Sequence, residues 1–406
     1  MNDAIALASG MTLYDALLPG IVIAGVLWLT LPHIKRDHPV ARIGILALSA
    51  FLMWRYMSWR ITETLPPMGF TLEFGVGVVF LTVEVLSVIS ATLAMLWTTR
   101  ARSRREDANE GVQRLRQDGA APRIDVFICT FNEEREILLP TIMAALSVAY
   151  DNKRVWVLDD GRRPWVEEIC ELTGCGYITR PDNQHAKAGN INNALRHIAE
   201  LDAQPEYVAI LDADFMSEPE LLERTLALMH YDESVALVQT PQHFVNPDPI
   251  QRNLATAHVW HDEQRHFFDV VLANKDAWDL AFCCGTSSLI RFSALKETSG
   301  FPTSSVTEDY LLSVVLREHG YQTVYLNERL SVGLAPEGVA EYLTQRGRWC
   351  LGLVQIFRGS HGVFSSRRGV SWRERLSLLD TFLYWSSVHA FRLLAIIVPA
   401  IYLLFD

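Results

Sequence analysis

The chain has 406 residues, half of them hydrophobic, with a mean hydropathy of +0.12. That is more apolar than a soluble enzyme requires and longer than one typical domain, so part of it is expected in lipid. A formal charge of −11 and a pI near 5.6 argue against nucleic acid as a partner, because a phosphate-binding surface is normally announced by net basic character.

Three apolar stretches open the chain, at about Leu17 to Leu31, Ile43 to Met57 and Val76 to Trp97. The last clearly reaches the roughly 20 residues that a spanning helix needs. The start carries no Lys or Arg before the first stretch, unlike the basic opening of a signal peptide. Lys35, Arg36 and Arg42 lie between the first two stretches, and Arg100, Arg102, Arg104 and Arg105 follow the third. The excess of positive charge puts those ends in the cytoplasm and the N-terminus outside. Arg55 and Arg60 alternate with Trp54, Tyr56 and Trp59, a pattern that fits either snorkelling to headgroups or a polar path for a sugar chain.

From about Pro122 to Gly359 the pattern changes to short β-branched runs alternating with helical ones, which predicts an α/β domain with a mostly parallel central sheet. "RIDVFICTFNE", "RVWVLDDG", "YVAILDADF" and "VALVQTP" each read as a buried strand ending in polar residues. Ligands of open α/β sheets bind beyond the carboxyl ends of the strands, so Glu133, Asp159, Asp212 and Asp214 are expected to converge on one crevice. Neither a dinucleotide fingerprint nor a P-loop motif is present. A phosphate-bearing leaving group then needs another source of positive charge, and Asp212 and Asp214 form a carboxylate pair able to hold a divalent cation, Mg²⁺ or Mn²⁺; taken alone, such a pair would as readily cap a helix. The six cysteines, Cys129, Cys170, Cys175, Cys283, Cys284 and Cys350, all fall in this polar middle. Their spacing suggests neither a disulfide framework nor a zinc site, and a reducing compartment with plain buried thiols fits best.

The chain closes with an amphipathic run, Trp372 to Phe391, read as an interfacial helix, and a fourth apolar segment at about Leu393 to Phe405. The expected organisation is a membrane region over 1–105, a catalytic-type α/β domain over 122–360, and an interfacial helix opening a C-terminal membrane region over 366–406.

In order, "TFNEE", "LDDG", "HAKAGNINNAL", "LDADF", "VQTPQHFVNPDPIQRNL", "FCCGTSSLIR", "VTEDYLLS" and "QRGRW" resemble the motifs of the family 2 glycosyltransferases, specifically their processive, cellulose-synthase-like group. The likeness covers the whole middle domain. It implies a GT-A-type nucleotide-sugar-binding fold flanked by transmembrane and interfacial helices. The activity implied is inverting transfer of glucose from UDP-glucose to a growing β-1,4-glucan at the bacterial inner membrane, with the catalytic domain cytoplasmic. The partners implied are a UDP-sugar donor, the β-glucan acceptor, membrane lipid and an accessory periplasmic or membrane subunit. Alternative readings are a curdlan-type or mixed-linkage synthase, a non-catalytic nucleotide-sugar-binding channel subunit, and a non-processive transferase to a lipid carrier.

Residue by residue, the resemblance implies a general base at Asp309, with Glu308 orienting the donor. Read without the resemblance, Thr307 to Asp309 opens a helix, whose N-terminus would lower the Asp309 pKa. Lys187 and Arg348 would add positive charge as UDP leaves. Asp159 would contact the nucleotide in the catalytic centre, with Thr130 and Glu133 near the uridine. Gln345, Arg348 and Trp349 would hold the acceptor end, Trp349 offering a stacking face, and Cys284 would line the glucan path. His185 reads as a metal or phosphate contact or as a structural hydrogen-bonding residue. Gln242 departs from the group's T-P-H pattern, which puts a role for His243 in doubt. Members of the group continue with further transmembrane helices, a gating loop and often a cyclic-di-GMP-binding domain, so the chain is expected to be a fragment.

Overall fold

The computed structural model describes residues 13–33, 38–365 and 370–405. Lys35 and Arg36, on which the orientation argument partly rests, lie outside the described residues, as does the start that was read as unlike a signal peptide. The chain divides into two units, residues 1–100 with 379–406, and residues 101–378.

The first unit is helical: α1 (Leu13–Thr30), α2 (Pro39–Glu63), α3 (Leu72–Thr98) and the end of the last helix, Trp372–Phe405. Among the described residues, three helices are long and apolar enough to cross a membrane, namely α2, α3 and the segment Trp372–Ile401. The amphipathic run and the fourth apolar segment are one continuous helix of 34 residues. Pro399 lies inside it near its end, so no breaker separates the two stretches.

Acidic side chains are buried within this unit, and each is answered. Glu84 on α3 is 5% exposed; it accepts from the Tyr56 hydroxyl at 2.5 Å and from Arg60 Nε at 2.9 Å. Asp380 accepts from Trp97 Nε1 at 2.9 Å and from the Ser90 hydroxyl at 3.3 Å. A buried carboxylate is tolerated only when paired and hydrogen-bonded, so these contacts fasten α2 to α3 and α3 to the last helix. Arg60 is thereby engaged with Glu84, while the rings of Trp54, Tyr56 and Trp59 are exposed. Replacing Glu84 with alanine leaves the Arg60 guanidinium uncompensated and should cost roughly 3 kcal/mol of stability. Unfolding midpoints in detergent check this; Glu84→Gln, which keeps an acceptor, should lose less.

The second unit begins with α4 (Arg105–Asp118) and alternates strand and helix: β1 (Ile124–Thr130), α5 (Arg135–Ser147), β2 (Lys153–Asp159), α6 (Pro164–Thr173), β3 (Gly176–Ile178), α7 (Ala186–Ala199), β4 (Tyr207–Asp212), β5 (Met216–Ser217), α8 (Leu221–Ala227) and β6 (Val235–Gln239). After several short helices come β7 (Ser288–Arg291), α9 (Glu308–Glu318), β8 (Gln322–Tyr325), β9 (Ser331–Val332) and α10 (Val339–Arg358). Seven strands form one sheet in the order β3-β2-β1-β4-β7-β6-β8, while β5 and β9 make a small second one. Within the large sheet every pairing is parallel except those of β7.

Period-two alternation builds a core on both faces. Ile124, Val126 and Ile128 of β1 pack in one cluster with α4, α5 and α6, while Phe127 and Cys129 pack in the other with Ile191, Leu195 and Ile198 of α7 and Leu312 and Leu316 of α9. A strand apolar on both faces must be central and covered by helices on both sides, the usual setting of parallel sheets. All six cysteines are free.

Candidate active site

Strand register assembles the site. Thr130 pairs with Asp159, and Cys129 with Asp212, so β1, β2 and β4 end together at one edge of the sheet. Because β7 runs antiparallel, its leading segment, Cys283 to Ser287, arrives at the same edge, and the Thr286 hydroxyl accepts from the Asp212 amide at 2.9 Å.

The centre of the constellation is Lys187, from the first turn of α7. Its Nζ pairs with Asp212 Oδ1 and donates to the Gly285 carbonyl at 2.7 Å. Burial alone would lower the Lys187 pKa, but Asp212 and further acidic neighbours outweigh it and raise it, so the ammonium persists. Gly285 has φ +88°; a Cβ there would stand 2.8 Å from Asp309 Oδ2 and 3.6 Å from Lys187 Nζ. That close approach, together with the left-handed backbone, explains the glycine. Lys187, Asp212, Gly285 and Asp309 therefore meet, although they come from four separate stretches of sequence.

Asp309 is the second residue of α9, with Oδ1 accepting from the Tyr310 amide at 2.8 Å. A place in the first turn of a helix predicts a lowered pKa. Burial instead raises it, outweighing the Tyr310 amide and Lys187, which pull it down. Glu308 is pushed up to about 7 by burial and by the adjacent Asp309. Native protein therefore binds protons at Glu308 that the unfolded chain has released, and this contribution to stability falls as pH rises from the ordinary 4.5 to about 7. Against wild type, Glu308→Gln should show a flatter fall of its thermal midpoint across that window. An identical slope in both proteins would rule out the perturbed carboxyl.

Asp214 is raised to about 7 by burial, with Asp212 and Glu133 adding to the effect. Two crowded carboxyls of this kind are what a divalent cation relieves. Among the described residues no group of three or more His, Cys, Asp or Glu gathers at metal-ligating distance. A diphosphate-bound Mg²⁺ or Mn²⁺, however, takes one or two protein carboxylates and fills its other positions with phosphate oxygens and water, so the pair fits that donor set.

On the β1–β2 side the loops are held by an arginine that the sequence reading passed over. Arg163 donates to Asp159 Oδ1 from Nε at 3.1 Å and from Nη2 at 2.9 Å, to Thr130 Oγ1 at 2.6 Å, and to the Glu133 carbonyl at 2.5 Å. Asp159, with its side chain fully buried, also accepts from the Gly161 amide at 2.9 Å, the Arg163 amide at 2.7 Å and the Tyr177 hydroxyl at 3.2 Å. Both carboxylate oxygens are thus engaged in shaping the turn. Glu133 accepts from the Thr130 hydroxyl at 2.6 Å and from the Phe131 amide at 2.8 Å. Thr130, Glu133 and Asp159 accordingly form one bonded wall. Arg163 reaches back to Asp159 across the non-helical turn after β2, from extended backbone just before α6, so no helical spacing announces the pair.

Cys284 lies in the strand-leading segment, its amide donating to Gln239 Oε1 at 2.7 Å and its carbonyl accepting from Gln242 Nε2 at 2.8 Å. Gln242, the departure from the motif, thus has a defined role in holding that segment. Burial, with Asp309 nearby, keeps the Cys284 thiol protonated. Gln345, Arg348 and Trp349 share one face of α10 by their spacing. That helix is tied to the loop before Asp309: Ser305 donates to the Gly352 carbonyl at 3.0 Å, and the Val306 amide to Gln355 Oε1 at 2.9 Å. His185 is exposed at the start of α7.

The model of the glycosyltransferase-like family 2 matches residues 122–352. The chain is 34% identical over 348 residues to cellulose synthase 1 catalytic subunit [UDP-forming] of Komagataeibacter xylinus, covering 85% of this chain and 45% of that protein. Against the cellulose synthase catalytic subunit [UDP-forming] of Pseudomonas fluorescens it is 34% identical over 373 residues, 90% of this chain and 48% of that one. The chain thus spans less than half the length of these relatives. Among solved structures, a mannosyltransferase from Pyrobaculum calidifontis, in complex with GDP-Man and Mn²⁺, superposes with a TM-score of 0.53 at 16% identity over 78% of this chain and 86% of that one. At that identity the likeness speaks for the fold.

Proposed function

From the premise that the chain belongs to the glycosyltransferase-like family 2, we propose that it is a membrane-bound, inverting, processive glycosyltransferase that passes glucose from UDP-glucose to a growing β-1,4-glucan. The observation that carries the reading is the meeting of Lys187, Asp212, Gly285 and Asp309 at the carboxyl ends of the sheet, beside the Thr130–Glu133–Asp159 wall. An inverting transfer needs a base on one side of the anomeric carbon and a charge sink on the other. Asp309 is the proposed base: burial raises its proton affinity, which suits it to accept the proton of an acceptor hydroxyl. Lys187 is a persistent cation for the departing diphosphate, with Arg348 as a second.

Asp212 and Asp214 would hold Mg²⁺ or Mn²⁺, which supplies charge neutralisation of the leaving diphosphate when bound. Glu308 would orient the donor, and the Thr130–Glu133–Asp159 wall would receive the nucleoside. Gln345, Arg348 and Trp349 would retain the acceptor end between additions, and Cys284 would line its path. The three spanning-type helices are consistent with a multi-pass protein of the bacterial inner membrane, its catalytic unit in the cytoplasm and its surroundings lipid. An accessory periplasmic or membrane subunit belongs to the same proposal. UDP release by the purified protein across a panel of UDP-sugars tests the donor. UDP-glucose should be turned over fastest, and preference for UDP-N-acetylglucosamine would overturn the assignment of the sugar.

A further inference from the structure

A second buried ion pair stands behind the proposed site, linking the end of β2 to the beginning of α7. Asp160 and Arg180 are 5% and 7% exposed. Arg180 grips the carboxylate with a two-pronged fork, Nε to Oδ1 at 2.6 Å and Nη2 to Oδ2 at 2.7 Å. Its remaining reach goes to the backbone, Nη1 donating to the Gln184 carbonyl at 2.6 Å and Nη2 to the Ala186 carbonyl at 2.8 Å. Every nitrogen of the guanidinium is thus engaged with protein, which disfavours Arg180 as a ligand for phosphate.

The loop so gripped is costly to hold. His185 and Ala186 sit at φ 60° and 44°, a left-handed conformation that side-chain-bearing residues avoid and that persists only when surroundings over-determine it. Gly189 completes the fold-back: a Cβ there would run into the Gln184 carbonyl and the Arg180 guanidinium. The residue directly after this strained pair is Lys187, whose ammonium reaches Asp212 and the Gly285 carbonyl.

We propose that Arg180, braced by Asp160, is a positioning residue that fixes the 181–186 loop so that Lys187 is presented to the diphosphate of the sugar nucleotide. The inference rests on the glycosyltransferase reading and deepens it, since the fork acts through the placement of Lys187. Lysine at position 180 keeps the charge beside Asp160 but cannot hold a carboxylate and two carbonyls at once.

The test pairs hydrogen exchange of the 181–188 segment, which needs no ligand, with calorimetric titration of UDP in the presence of Mn²⁺. Both are made on the full chain as wild type, Arg180→Lys, Lys187→Met and the double variant. Arg154→Lys is the control, because Arg154 forms an equivalent fork with Asp125 at 2.7 Å on each prong, away from this loop. Arg180→Lys should speed exchange in 181–188 and weaken UDP binding about tenfold. In the Lys187→Met background the same change should cost no more than about twofold, because the residue it acts through is gone. Arg154→Lys should leave loop exchange and UDP affinity unchanged.

Unchanged exchange in Arg180→Lys, or a full tenfold loss in the Lys187→Met background, overturns the proposal. Should Arg180→Lys fail to fold, Asp160→Asn retains the carbonyl contacts with a weakened fork and should show the same pattern in smaller measure; normal exchange there is equally fatal. Absence of UDP binding by wild type would remove the glycosyltransferase reading, and the proposal with it. The exchange data separate that failure from failure of the brace.

Discussion

Asp309→Asn should lower turnover of UDP-glucose by on the order of 10²–10⁴-fold while leaving UDP affinity close to that of wild type. Asparagine has the shape of aspartate and keeps a carbonyl oxygen for the Tyr310 amide that Asp309 Oδ1 accepts at 2.8 Å, so the start of α9 should be undisturbed. What it loses is the capacity to take a proton. The second carboxylate oxygen faces Gly285 and the Lys187 ammonium, where a reacting hydroxyl and a departing diphosphate would be neighbours. Burial works in the same direction, because a carboxylate of raised pKa is a stronger base than an exposed one. Steady-state kinetics and calorimetric UDP titration on the same preparation make the comparison; a variant that turns over as fast as wild type would remove Asp309 from the chemistry.

Asp212→Asn and Asp214→Asn should each reduce turnover at least about a hundredfold, the scale on which a metal ion stabilises developing charge, and should weaken Mn²⁺ binding followed by its electron spin resonance. The two losses have different origins. Asp212 already carries the Lys187 ammonium, so its replacement leaves that lysine chiefly on the Gly285 carbonyl as well as taking away a proposed ligand. Asp214 is a partly buried carboxyl raised to about 7, and a cation would displace its proton on binding. Chelation of divalent ions should reproduce the loss of turnover in wild type and add little in either variant. Undiminished Mn²⁺ binding in both variants would place the cation elsewhere.

The strands were legible because β1, β2, β4 and β6 are runs of β-branched and aromatic residues, and burial on both faces leaves no other element for them. Their polar ends were legible for the same reason, which is why Asp159 and Asp212 stood out before any register was known. Arg163 and Arg180 were not. A guanidinium in a loop carries no periodic signal, and its partner, Asp160 in the case of Arg180, lies across a helix and a strand. The join between the amphipathic run and the final apolar segment was hidden because two faces of different polarity read as two elements, although one helix can carry both. At Asp309 the helix dipole was visible in the sequence and burial was not, and burial decides the sign.

Incorporation of labelled glucose from UDP-glucose into polymer by the purified chain, with Asp309→Asn alongside, reaches the centre of the account. Wild type should make long products that a β-1,4-specific glucanase degrades, and the variant none. Products one sugar long, products resistant to that enzyme, or equal polymer from both proteins would contradict it.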